Sequence, residues 1–253
     1  MRRAVFACIA LCALALPVEA EDLVSGLSQD QIQITSNYAG TDIVVFGAIE
    51  SPASVETAGA RDVVVVVRGP SADFAVRRKV RIAGIWINRD EITLYGMPSY
   101  YFLASTRPLA KIASAETLRR FQLGLASVTP KGESTHSLRK GEPFREAAIR
   151  IRERQKLYAQ APAGVEFLGS SLFRVRVPVP ANVATGEYAV QVFLFRDGSV
   201  VSAQTTPLFV DQIGLERRVF NFAHDRPLAY GLVTVLIAML LGWASSLIFR
   251  RPA

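Results

Sequence analysis

The residues able to carry chemistry are few and scattered. Only two histidines occur in 253 residues, His136 and His224, and the two cysteines, Cys8 and Cys12, share one apolar stretch near the N-terminus. Nucleophilic catalysis needs a base within hydrogen-bonding reach of the nucleophile, and metal hydrolases place their histidines at fixed helical spacing. No His-x-x-x-His pair, phosphate-binding Walker loop, calcium loop, Gly-x-Ser-x-Gly elbow or dinucleotide fingerprint is present. Ser137-Leu138-Arg139-Lys140 matches a Ser-x-x-Lys nucleophile motif in form, but it stands in a polar stretch without companion motifs. The composition therefore predicts a protein that is not an enzyme and holds no metal or cofactor.

One charged constellation stands out. Arg77, Arg78, Lys79 and Arg81 crowd a short stretch just before Gly84-Ile85-Trp86-Ile87-Asn88. Such a cluster can bind an anion or a lipid head group, with Trp86 as a stacking or interfacial residue. The simpler reading is a solvated edge strand whose cations deter edge-to-edge pairing, with Trp86 in the core. The simpler reading is preferred here, as it is for the arginines of residues 150–156.

These residues must be placed by elements, and the most legible element is Leu228 to Phe249. It has 22 residues without a charged side chain, between Arg226-Pro227 and Arg250-Arg251. As a helix it spans about 33 Å, enough for a hydrocarbon core of about 30 Å. Gly231, Thr234, Ala238, Gly242 and Ser246 fall on nearly one side of it. Small residues at every turn let a second helix approach closely, so this stripe is the expected packing face, toward a multi-span membrane protein or a second copy.

At the other end, Arg2 and Arg3, the 13 apolar residues Ala4 to Leu16, Pro17 and Val18-Glu19-Ala20 predict a signal peptide over 1–20. Its removal would take both cysteines and leave 27 Lys+Arg against 21 Asp+Glu, a net charge of +6. That mild surplus suits a surface near anionic lipid and gives no reason to expect nucleic acid. Arg250 and Arg251 set the C-terminus in the cytoplasm and the bulk of the chain outside, the periplasm of an inner-membrane protein.

Between the two ends the pattern is strand after strand. Gln31–Thr35, Ile43–Phe46, the five-valine run Val63–Val67, Phe74–Ile82, a strand pair around a turn at Asn88-Arg89-Asp90, and Pro98–Leu103 come first. Ser114 is positioned to cap a helix through Leu118, Phe121, Gln122 and Leu125. A polar linker, Thr129 to Pro143, leads to a second helix over Phe144–Gln160, opened by Pro143 and burying Phe144, Ala147, Ala148, Ile151 and Tyr158. Strands resume at Val165–Leu168, Leu172–Val177 and Val190–Leu194. Asp197-Gly198 predicts a hairpin turn into Val200–Val210. Gly186-Glu187-Tyr188 fits the tyrosine near the penultimate strand of immunoglobulin-like sandwiches. Leu215, Val219 and Phe222 suggest a juxtamembrane amphipathic helix.

The expectation is a mainly β protein. It has an immunoglobulin-like β-sandwich, one interrupted or two small, an inserted α-helical pair and a C-terminal transmembrane helix. In chain order it comprises a signal peptide (1–20), an N-terminal β-sandwich region (21–110), a helical insertion (111–160), a C-terminal β region (161–212), a juxtamembrane segment (213–227), the transmembrane helix (228–249) and a cytoplasmic tail (250–253).

Several stretches taken together, Gly69-Pro70, Arg78-Lys79 with Gly84–Asn88, Pro98–Tyr101 with Ser105-Thr106, Gly186–Tyr188 with Phe193–Arg196, Tyr230-Gly231 and Gly242-Trp243, carry a resemblance over nearly the whole chain. The chain resembles a family of alphaproteobacterial transmembrane proteins. The resemblance implies a signal peptide, a periplasmic domain and a single C-terminal spanning helix, and it implies no catalytic residue or ligand. The function expected is an accessory subunit packing its helix on a membrane partner such as a transporter. The alternative is a periplasmic ligand- or peptide-binding or envelope-assembly module.

Overall fold

The five consecutive valines of Val63–Val67 cannot alternate between core and solvent, and all five are fully buried. They form the centre of β4 (Arg61–Arg68), a strand covered on both faces. β-Branched side chains lose little freedom in a strand, and each buried valine contributes about 1.5–3 kcal/mol relative to exposure. The structure, a computed structural model, describes residues 22–35, 37–50, 61–131, 135–213 and 215–248. The expected signal peptide, Phe249 and the tail 250–253 lie outside the described residues.

Two sheets hold the core. In the first, β3 (Gly40–Glu50) pairs antiparallel with β1 (Asp22–Leu27) and with β10 (Leu172–Pro180), and β9 (Val165–Phe167) completes the order β1-β3-β10-β9. The second is six-stranded. It runs β2 (Gln31–Ile34), β12 (Ser199–Gln212), β11 (Gly186–Arg196), β4, β7 (Tyr101–Ser105) and β8 (Tyr158–Pro162). Its two outer pairings, β2 with β12 and β7 with β8, are parallel. β5 (Ser71–Ile82) and β6 (Ile85–Pro98) form a separate two-stranded ribbon.

Strands from before and after residues 111–160 share both large sheets: β10 lies on β3 and β11 on β4. Of the two arrangements left open by periodicity, one interrupted body is therefore the one found. Ile43, Val45, Phe173, Val175 and Val177 of the first sheet join Val63–Val67, Val190, Val192 and Leu208 of the second in a single buried cluster. Tyr100 ties the sheets together, its hydroxyl donating to the Pro178 carbonyl at 2.5 Å.

The helical insertion differs from its expected form. Ser114 does cap a helix, its Oγ accepting from the Thr117 N–H at 3.2 Å. That helix is short, α2 (Ala115–Arg120), preceded by α1 (Leu109–Ile112) and followed by a 3₁₀ turn, Leu125–Ser127. Gln122 (φ 52°) and Gly124 (φ 93°) take left-handed conformations that stop it short of Leu125. The long helix is α3 (Thr135–Arg154), so much of the expected linker is helical and Pro143 lies inside the helix instead of opening it. It ends early because Lys156 turns to φ 59° and Tyr158 enters β8 opposite Tyr101, where it is buried. On α3, Ile151 is 47 % exposed, whereas Arg145 is buried and donates to the Ala126 and Val128 carbonyls at 3.2 and 3.0 Å. These hydrogen bonds satisfy the buried guanidinium.

After β12 come α4 (Leu215–Asp225) and the apolar helix α5 (Pro227–Ile248). Pro227–Ser246 is long and apolar enough to cross a membrane and is unburied in the single chain.

Candidate functional site

The basic stretch belongs to neither large sheet. β5 and β6 form a long antiparallel ribbon, turning at Ala83 (φ 49°) and Gly84 (φ 86°), positive values at both central residues as a two-residue hairpin turn demands. The expected turn at Asn88-Arg89-Asp90 is not there. Arg78 pairs with Asp90 and Lys79 with Asn88, so Arg89 is the extra residue of a bulge. Asn and Asp near Arg89 carried the stronger turn signal, but a bulge can use the same residues.

The structure divides the predicted cations. Arg77 Nε lies 2.8 Å from Glu91 Oε2, and Arg78 reaches Asp90 Oδ2 at 2.5 Å. Each sits directly across the ribbon from its carboxylate, which holds the Arg77 guanidinium above its usual range through the hydrogen bond and charge of Glu91. Arg81 Nε donates to the Gly84 carbonyl, at 3.3 Å. Lys79 and Arg89 form no ion pair among the described residues. The ribbon thus neutralises Arg77 and Arg78 at its middle and leaves the segment beyond them cationic.

Trp86 is 63 % exposed, not in the core. It lies opposite Arg81, while Ile82 faces Ile85 and Val80 faces Ile87. Since alternate residues share a face, one side of the tip presents Val80, Ile82, Ile85 and Ile87, and the other Lys79, Arg81, Trp86 and Asn88. Ile82, Ile85 and Ile87 are exposed as well. The sequence reading missed this aliphatic face because it placed the turn five residues too late, which hides the pairing of these isoleucines.

Helix α3 braces the base of the ribbon. The Arg152 guanidinium stacks 3.7 Å from the centroid of Phe74, and that of Arg78 lies 5.8 Å from the Phe144 ring. A cavity of about 310 Å³ opens beside the base, lined by Arg68, Pro70, Lys131 and Glu187 among others. Its cations are already engaged. Arg68 Nη2 donates to the Phe121 and Gln122 carbonyls at 2.9 and 3.0 Å, and Lys131 Nζ lies 3.1 Å from Ser71 Oγ. They serve the fold, tying the insertion to β4 and to the start of β5.

In α5, Gly231, Thr234, Ala238, Gly242 and Ser246 are brought within an arc of about 120° by the 3.6-residue turn. A Cβ added at Gly231 or Gly242 would meet nothing within 4 Å, so the stripe is open along its length. Thr234 turns its hydroxyl back to the Tyr230 carbonyl at 2.8 Å, which removes its polar group from the stripe.

Compared with known families, residues 22–251 match the model described as "Putative transmembrane protein (Alph_Pro_TM)". No curated protein matches the chain.

Proposed function

The chain belongs to this family of transmembrane proteins, and from that premise we propose that it is a non-enzymatic, single-pass accessory subunit that packs α5 against a multi-span membrane partner such as a transporter. The open stripe from Gly231 to Ser246 carries this reading: it lets a neighbouring backbone approach closely, and none of the described residues meets a Cβ built at Gly231 or Gly242. The signal sequence over 1–20 and Arg250-Arg251 support an inner-membrane protein with its β domain in the periplasm and its C-terminus in the cytoplasm.

Replacing both Ala238 and Gly242 with leucine is expected to abolish co-purification of a multi-span protein from native membranes, with the protein still membrane-integrated. Association surviving unchanged would sink the proposal; self-association lost instead would reassign the stripe to a homodimer. A binding module acting through the basic strand is the weaker reading, since Glu91 and Asp90 already engage Arg77 and Arg78.

We read the β domain as an immunoglobulin-like sandwich. The orders β1-β3-β10-β9 and β12-β11-β4 follow the A-B-E-D and G-F-C orders of that fold. Tyr188 stands near the start of the penultimate strand and donates its hydroxyl to the Ala184 carbonyl, four residues upstream, at 2.6 Å. That is the tyrosine corner. Tyr188→Phe is expected to lower stability by about 1 kcal/mol, seen as a lower denaturant midpoint at constant slope. No change would remove the corner from the argument.

A further inference from the structure

The β5–β6 ribbon and the membrane anchor leave the β domain at the same end. β4 and β12 both run antiparallel to β11, so they point the same way. Arg68, the last residue of β4, lies across from Ala189, and Val210 near the end of β12 lies across from Gly186. Pro70 closes this end against Gly186, where an added Cβ would be 3.2 Å from its ring. One residue later the ribbon begins, at Ser71. Two residues after Val210, β12 ends, and the chain proceeds through α4 to α5.

The ribbon is long. The 12 residues of β5 reach roughly 37 Å at the usual rise of a strand. From Lys79 to Arg89 every residue except the partly buried Val80 is exposed, so the tip stands clear of the other described residues. That segment holds Lys79, Arg81 and Arg89 and no carboxylate. Its apolar side chains, Ile82, Ile85, Trp86 and Ile87, gather within six residues of the turn.

An exposed apolar tip is a liability in water unless something covers it. Its chemistry selects the cover. Cations uncompensated by acid, beside a tryptophan and isoleucines at the end of a projecting element, match an anionic lipid surface, where tryptophan favours the head-group level and each nearby cation is attracted. We infer that the β5–β6 tip dips into the anionic surface of the same bilayer that holds α5, giving the β domain a second membrane contact. The inference rests on α5 being a membrane anchor and adds a defined orientation to the domain, tip toward lipid.

The test uses the full chain reconstituted into phosphatidylcholine–phosphatidylglycerol vesicles with brominated acyl chains. The sequence has two tryptophans, Trp86 and Trp243, so Trp243→Phe leaves Trp86 as the only reporter. Flotation with the vesicles checks the anchor independently. In floated protein, Trp86 emission is expected to be blue-shifted and strongly quenched by the brominated chains. Both effects should weaken when phosphatidylglycerol is omitted and salt is raised, and both should be lost on replacing Ile85 and Ile87 with aspartate. These isoleucines are 68 % and 42 % exposed, so their replacement spares the core. Floated protein with red-shifted, unquenched emission would overturn the inference. Blue-shifted but unquenched emission would overturn it too, in favour of a protein surface over the tip. Failure to float would instead sink the anchor reading.

Discussion

Gly47→Ala is expected to destabilise the β domain by about 3 kcal/mol or more, at or beyond the upper end of ordinary overpacking. Gly47 lies mid-strand in β3, between Ser25 of β1 and Phe173 of β10. A Cβ there would sit 2.5 Å from Phe173 Cζ and 2.7 Å from the Val24 carbonyl oxygen. The ring is fully buried, with Phe167 edge-on at 6.3 Å, and the carbonyl belongs to a paired strand. Neither can retreat without opening a sheet or a cavity. Alanine normally gains about 0.5–1 kcal/mol over glycine within a strand, too little to offset the clash. Gly169→Ala is the control, because a Cβ there meets nothing within 4 Å, and it should stay within about 0.5 kcal/mol of the parent. Urea unfolding of the detergent-solubilised chain, followed by circular dichroism, compares the two. Equal midpoints would mean that β3 does not lie this tightly between β1 and β10. Phe173→Leu in the Gly47→Ala background should recover part of the loss, since the Val24 carbonyl remains.

Alkaline unfolding is the second large effect expected. Burial raises the phenols of Tyr101 and Tyr188 from 10.0 to about 12, and it raises Tyr100 and Tyr158 as well. The folded form therefore holds these protons after the unfolded chain has released them. Stability from this source is complete below pH 10 and falls as pH rises through the folded values. Each tyrosine removes up to about 1.4 kcal/mol per pH unit. For Tyr101 and Tyr188 together the loss between pH 10 and 12 reaches about 4 kcal/mol, a large share of the stability of many domains. The phenolate absorbance contributed by these four tyrosines is expected to rise together with the loss of circular dichroism. Phenolates forming at these positions while the fold persists would contradict the burial. Tyr188→Phe lacks one of these groups, so its stability should fall less steeply with pH.

The same four tyrosines show why much of the architecture was hidden from the sequence. Their hydroxyls donate to backbone carbonyls: Tyr100 to Pro178, Tyr101 to Gln122 at 3.1 Å, Tyr158 to Pro98 at 2.6 Å, and Tyr188 to Ala184. Only the last partner is local, and only Tyr188 was legible, through Gly186 and the alternation after it. Tyr158 looked helical because it follows a run of good helix formers, yet its parallel pairing with β7 removes it from the helix. β1 escaped notice for a related reason. Only Leu23 of its six residues is buried, so no alternation marks it, and its pairing with β3 is what makes it a strand.

Local rules sufficed where one residue type dictates its surroundings. The valine run had to be a doubly covered strand, Asp197-Gly198 had to turn (φ 47° and 82°), and an apolar run of this length had to be a helix suited to a bilayer. Tertiary structure decided the rest: that β3 meets β10 and β4 meets β11 across the insertion, and that Ala83-Gly84 turns the ribbon instead of Asn88–Asp90. It also paired Arg77 and Arg78 with carboxylates and gave Lys79 and Arg89 no ion pair among the described residues at an exposed tip. Periodicity records which face of a segment is apolar. Which segment covers that face, and whether any does, depends on partners distant in the chain, and that information exists only once the chain has folded.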